Sequence, residues 1–140
     1  MNWIQSLIAN RSNLLPGAST EEITEIERKF NISLPVAFKE FLQAVDGGML
    51  TKNIIVYSAG KGIHPMETLW SANENRDVEF PIFFIAREAE EEFAFKREDM
   101  SLPDPPVYIY LHEYGEIKKV SKSFKDFIVT VISGKEIKLL

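Results

Sequence analysis

The spacing of apolar side chains changes twice along this chain, and that change constrains the fold more than any single motif. Near the start, Trp3, Ile4, Leu7 and Ile8 recur at helical spacing, which predicts a short helix from Met1 to about Asn10. NLLPGAS then reads as a loop around Pro16 and Gly17. Ser19 with Glu22 three residues on matches a capping box, and Glu21, Glu22 and Glu25 load the first turn, where the helix dipole favours anions. Ile23, Ile26 and Phe30 share one face of this second helix, and Asn31 suits a left-handed stop. In LPVAFKEFLQAVDGG, Pro35 opens a third helix whose stripe is Phe38, Phe41, Leu42 and Val45, with Lys39, Glu40 and Gln43 toward water. Gly47 and Gly48 are expected to end that helix and let the chain reverse.

Beyond the glycines the period shortens. NIIVY (53–57) is rich in β-branched and aromatic residues and reads as a strand. SAGKGIHP is a loop leading to residues 66–75, which hold a short helix. FPIFFIA (80–86) is dense enough for a central strand. EEFAFKR alternates, so Phe93 and Phe95 should share a face. VYIYLHE (107–113) and GEIKKVS flank a Tyr114-Gly115 turn as an antiparallel hairpin. Ser123 caps a last helix with Phe124, Phe127, Ile128 and Val131 inward. Helices at both ends with strands between predict one α+β domain over residues 1–140. Its centre would be a mostly antiparallel sheet of about 4–6 strands, with N-terminal helices and a C-terminal helix packed against it.

A chain of 140 residues can bury roughly two thirds of its unfolded surface, so it needs no covalent staple. It has no cysteine, which removes disulfides, thiolate zinc sites and a cysteine nucleophile. MNWIQSLIAN lacks a basic start and a continuous apolar core, and no run reaches the ~18 apolar residues of a membrane span. The expectation is a cytoplasmic protein with no membrane partner. Net charge is −5, unevenly spread: residues 1–115 carry 10 basic and 18 acidic side chains, and residues 116–140 carry 6 lysines and 3 acids. An acidic body argues against nucleic acid as a partner, because phosphate contacts need a basic face.

Chemistry has little support in the sequence. HEYGE at 112–116 starts like a zinc-protease motif but lacks the second histidine and sits on a strand, and His64 stands alone in a loop. Neither GxSxG nor GxGxxG occurs, and the Gly60–Gly62 pair lacks phosphate-loop spacing. No catalytic, metal or cofactor site is expected. REAEEEF concentrates Glu88, Glu90, Glu91 and Glu92. The plain interpretation is a solvated acidic turn. A negative patch for a basic partner is the functional alternative, and a divalent-cation site or general base is a further one, although calcium-loop spacing is absent. Trp70 lies in a loop or short helix, and tryptophan there either folds over the core or anchors a contact.

Taken together, Ile26-Glu27, Phe30-Asn31, Leu34-Pro35, Phe38-Lys39, Phe41-Leu42 and Asp46-Gly47-Gly48 resemble the N-terminal pattern of the SUKH superfamily, which includes yeast cell-wall-assembly regulators and many bacterial immunity proteins. PIFFIA, VYIYLHE with Ile117, and SFKDFI resemble its later segments, so the likeness spans about residues 20–132. Asp46 stands where asparagine is usual, and REAEEE replaces a Gly-rich turn with an aspartate. The resemblance implies an α+β protein-binding module without catalysis. In bacteria such a module often neutralises a toxin by stoichiometric binding. The acidic body suits a basic, nuclease-type toxin domain, with Glu88, Glu90, Glu91, Glu92, Trp70 and Tyr57 as contact residues. The alternatives are a regulatory scaffold in cell-wall assembly or signalling, and a metal- or small-molecule-dependent enzyme built on Glu88–Glu92.

Overall fold

The computed structural model describes residues 3–5, 7–8, 14–51, 53–62, 67–76 and 80–140. Its elements in chain order are β1 (Leu14–Pro16), α1 (Thr20–Phe30), α2 (Val36–Ala44), β2 (Val45–Met49), β3 (Ile54–Val56), α3 (Leu69–Asn73), β4 (Ile82–Glu88), β5 (Glu91–Lys96), β6 (Val107–Leu111), β7 (Glu116–Ser121) and α4 (Phe124–Ile132). The strands form one sheet in the order β1-β2-β3-β4-β5-β6-β7, each antiparallel to its neighbour. The architecture is α+β.

Local chemistry explains the helix boundaries. Ser19 Oγ accepts from Glu22 N at 3.1 Å while Ser19 N donates back to Glu22 Oε1 at 2.9 Å, so two otherwise orphaned donors are satisfied at the start of α1. Asn31 ends the helix in the left-handed region, φ 53°. Glu27 then binds the α1–α2 connection, accepting from Leu34 N at 2.7 Å and pairing with Lys39 at 3.2 Å. Ser123 caps α4 through Asp126 N.

The two faces of the sheet differ. On one, Phe93 and Phe95 of β5 meet α2 and α4: Phe93 lies 4.9 Å from Phe127, and Phe95 lies 5.5 Å from Phe38 and 5.8 Å from Phe124. These rings are all at most 1% exposed, and α1 joins the layer through Phe30 on Phe83. Burying each such ring contributes about 2–3 kcal/mol, before the 0.5–1.5 kcal/mol that edge-to-face pairs add. The opposite face carries Phe84, Glu92, Ala94, Tyr108 and Tyr110, and is partly covered by α3.

Seven strands replace the expected 4–6. The two extra ones, β1 and β2, fall on segments read as a loop and a helix-ending turn. Gly47 and Gly48 do not reverse the chain. α2 stops at Ala44 and runs straight into β2, which includes both glycines at φ 78° and 109°. A Cβ on Gly47 would stand 2.5 Å from Val56 O, so glycine is needed there for β3 to approach. β1 tolerates Pro16 because it is the sheet's edge. The helix arrangement also differs in part. The helix expected over residues 1–10 is, among the described residues, a single turn in which Leu7 N and Ile8 N donate to Ile4 O. The remainder of that segment, and His64, lie outside the described residues. α3 sits mid-chain, packed on β4. The end helices α2 and α4 and the five remaining strands form where the spacing places them.

Candidate functional site

β3 is short, and its end creates the site. Past Tyr57, whose N–H still donates to Ile85 O at 2.9 Å, the chain leaves β4, and the Phe84 peptide groups have no strand partner on that side. Asn73 of α3 takes the strand's place: its Nδ2 donates to Phe84 O at 2.9 Å and its Oδ1 accepts from Phe84 N at 2.8 Å. A second Nδ2 bond, to Leu69 O at 3.0 Å, fixes the amide within its own helix. α3 is therefore pinned on the sheet as a ridge between two grooves.

The groove on the β5–β6 side is organised around Glu92, 8% exposed. Tyr57 OH donates to its Oε2 at 2.8 Å. Arg76 reaches both oxygens, Nη2 donating to Oε1 at 2.8 Å and Nη1 to Oε2 at 3.3 Å. His112 Nε2 lies 3.0 Å from Oε1. Arg76 also donates to Ala72 O and lies 4.1 Å over the Phe84 ring, so the guanidinium is held on three sides. Burial, then the adjacent Glu92 carboxylate, pushes the Tyr57 phenol far above its usual range, so it acts as a donor and not as a base. Glu92 thus has partners on both oxygens. The sequence had suggested no such convergence of titratable groups; here it braces β3, β5, β6 and the exit of α3 against one another.

Beside this cluster two hairpin tips meet. Ala89 and Glu90 turn β4 into β5, with Ala89 at φ 54°, and residues 112–115 turn β6 into β7. Glu90, Glu91, His112, Glu113 and Tyr114 line the cleft between them, and Tyr114 is 69% exposed. Glu91 Oε2 is shielded from solvent and has no hydrogen-bond partner among the described residues. Arg87, next to this end, is paired with Glu67 at 3.1 Å. The end is therefore acidic and carries an exposed aromatic ring.

Asp46, 5% exposed, secures the loop after β3 by accepting from Ala59 N at 2.6 Å and Gly60 N at 2.9 Å. Burial raises its pKa from 3.8 to about 6, with the nearby Glu22 carboxylate adding to the rise and the two amide bonds opposing it. Gly60 fits between the two acids: a Cβ there would meet Glu22 Oε2 at 2.3 Å and Asp46 Oδ2 at 2.9 Å.

A sequence model of the SMI1/KNR4 family (SUKH-1) matches residues 17–130. The chain belongs to the SMI1/KNR4 (SUKH-1) family. No curated protein matches it as a relative. At the level of the family, membership supports a protein-binding immunity or regulatory module, and the family is generally non-enzymatic. No helix among the described residues is long and apolar enough to cross a membrane. Among the same residues no three acidic or histidine side chains gather closely enough to hold a metal ion.

Within this SUKH-1 domain the candidate contact residues occupy different environments. Glu88, Glu90 and Glu91 lie at the β4–β5 tip and reach solvent, Glu90 most fully. Tyr57, 2% exposed, and Glu92 are joined to each other beneath the surface. Trp70, 39% exposed, faces away from them across α3. Arg76, His112, Glu113, Tyr114 and Asn73 complete the region and were not singled out as contacts from the sequence. Alternation signals part of it: with Phe93 and Phe95 on one face, Glu92 must lie on the other.

Proposed function

We propose that this SUKH-1 domain is an immunity protein that neutralises a cognate toxin by stoichiometric binding, with the paired hairpin tips as its contact surface. The observation that carries this reading is the juxtaposition of Glu90, Glu91 and Glu113 around exposed Tyr114, with Glu88 at the base of the same β4–β5 tip but facing the neighbouring groove beside α4. An aromatic anchor with an acidic surround suits a basic surface such as a nuclease-type toxin domain presents to its nucleic acid. Tyr57 and Glu92 serve the contact from beneath by fixing the hairpins' base, and Trp70 contributes from the far side of α3. The work is done in the cytoplasm, where the domain acts as a mask over the toxin and performs no chemistry.

The test is co-expression with the toxin domain encoded beside it. A stable one-to-one complex and protected cells are expected. Replacing Glu88, Glu90 and Glu91 together by glutamine should slow association about tenfold at low salt, with little change at high salt. A domain that binds no neighbouring toxin and protects no cell sinks the immunity reading and returns the regulatory role to first place.

A further inference from the structure

We propose that the groove between α1 and α3, walled by Trp70, Glu21 and Glu25, receives an arginine side chain of a protein partner. This rests on the protein-binding reading above and adds to it a second, separate contact with a defined chemistry.

The groove is lined by Glu21, Glu22, Glu25, Ile26, Gly60 and Trp70, among others, and encloses about 320 Å³. That volume is at the lower end for ligand pockets, enough for one side chain but small for a cofactor. Its apolar part is Ile26, Ala59 and the indole; its polar part is carboxylate. Lys61 is the cation lining it, against three glutamates, so the groove is net negative. Just behind Gly60 lies the buried Asp46 carboxylate.

Trp70 is held ready for contact. Its Nε1–H donates to Glu74, and its ring edge meets Phe30 at 6.3 Å. An exposed tryptophan fixed in this way loses little freedom when a partner arrives. The ring already holds one cation of this chain: Lys29 Nζ stands 4.9 Å from its centroid and 3.3 Å from Glu74. An indole face with a carboxylate beside it therefore accepts a positive group here, and Glu21 and Glu25 line the groove together with that same indole. Arginine fits better than lysine, because its planar guanidinium can lie against the indole while its fork reaches a carboxylate. An anionic or phosphorylated segment meets the wrong sign. A second copy of this chain, at net charge −5, does too.

The experiment uses the full chain, labelled with nitrogen-15, and a short glycine–serine peptide carrying two arginines. Its controls are the same peptide with citrulline, the neutral isostere, and with lysine. The arginine peptide should move the Trp70 indole N–H resonance, and citrulline should not. Glu21→Gln with Glu25→Gln, both exposed positions, should weaken that binding about fivefold or more, whereas Glu88→Gln with Glu90→Gln should leave it unchanged. Equal shifts with citrulline, stronger shifts with lysine, or indifference to the Glu21/Glu25 replacement would overturn the assignment. Perturbation confined to the hairpin tips would overturn the groove while leaving the hairpin reading intact. No perturbation anywhere would overturn the groove and weaken both.

Discussion

Glu92 and Asp46 are both buried carboxylates, at 8% and 5% exposure, yet the protein accommodates them by different means. Glu92 is met by side chains gathered from distant parts of the chain: a guanidinium, a phenol and an imidazole. Among the described residues Asp46 is met by two backbone N–H groups, with another carboxylate, Glu22, nearby. Surrounding a charge with opposite charge and donors makes it a brace. Surrounding it with amides alone leaves it strained by its own ionisation. Depth of burial therefore does not decide what a buried acid contributes; its partners do.

The largest way to break the contrast is Glu92→Ala. It orphans the buried Tyr57 hydroxyl and leaves Arg76 half-buried over Phe84 with no counter-charge. The cost should be about 2–4 kcal/mol, a fall in Tm of roughly 8–15 °C by calorimetry. A loss below about 1 kcal/mol would mean that the cluster is decoration and that the hairpin base is held by the apolar face alone.

Next comes Gly60→Ala, which tests the Asp46 side. The added methyl group meets one flexible carboxylate, Glu22, and one that is fixed, Asp46. The loop must lift or Glu22 must swing away from its capping bond to Ser19. A destabilisation of about 1–3 kcal/mol is expected in urea unfolding. If stability is unchanged, the loop is not clamped as tightly as the two amide bonds indicate.

These two carboxylates also mark how far the sequence could be read. The boundaries of α1 and α4 were legible because Ser19, Glu22, Asn31 and Ser123 act on neighbours within a few residues. The aromatic face of β5 was legible because alternation alone assigns Phe93 and Phe95 to one side. β2 was not legible. Asp46-Gly47-Gly48 has the chemistry of a helix stop, and only the close approach of Val56 O shows why a strand needs those glycines. In the candidate site, Glu88, Glu90 and Glu91 reach solvent as an acidic turn would. The bonds that join Glu92 to residues 57, 76 and 112 depend on strand register, and no local pattern encodes register across 16 to 35 residues.

A smaller and sharper test is pH. The Asp46 carboxyl has a pKa of about 6 in the folded protein against 3.8 when unfolded. Between those values the folded chain binds more protons than the unfolded one, so this group's contribution to stability falls as pH rises through the window and is gone above about pH 6. Solvent near the loop screens part of the effect, leaving about 1–2 kcal/mol. Asp46→Asn removes the titration but turns one N–H acceptor into a donor. The stability of the variant relative to the wild type should therefore improve by that amount between about pH 4 and pH 7. A difference that stays constant with pH would show that Asp46 is not charged against resistance.

The smallest expected effect is Tyr57→Phe, and it sharpens the other half of the contrast. The ring keeps its place in the core, while Glu92 Oε2 loses a 2.8 Å bond and retains Arg76 Nη1 at 3.3 Å. With the carboxylate still paired, the loss should be about 1 kcal/mol, less than a charged hydrogen bond removed in isolation. Coupling to Glu92 separates this from simple repacking. In a double-mutant cycle with Glu92→Gln, Tyr57→Phe should cost measurably less than in the wild type, with an interaction energy of at least about 0.5 kcal/mol. Additive costs would mean that the phenol and the carboxylate contribute independently, and Glu92 would then be braced by Arg76 and His112 without help from β3.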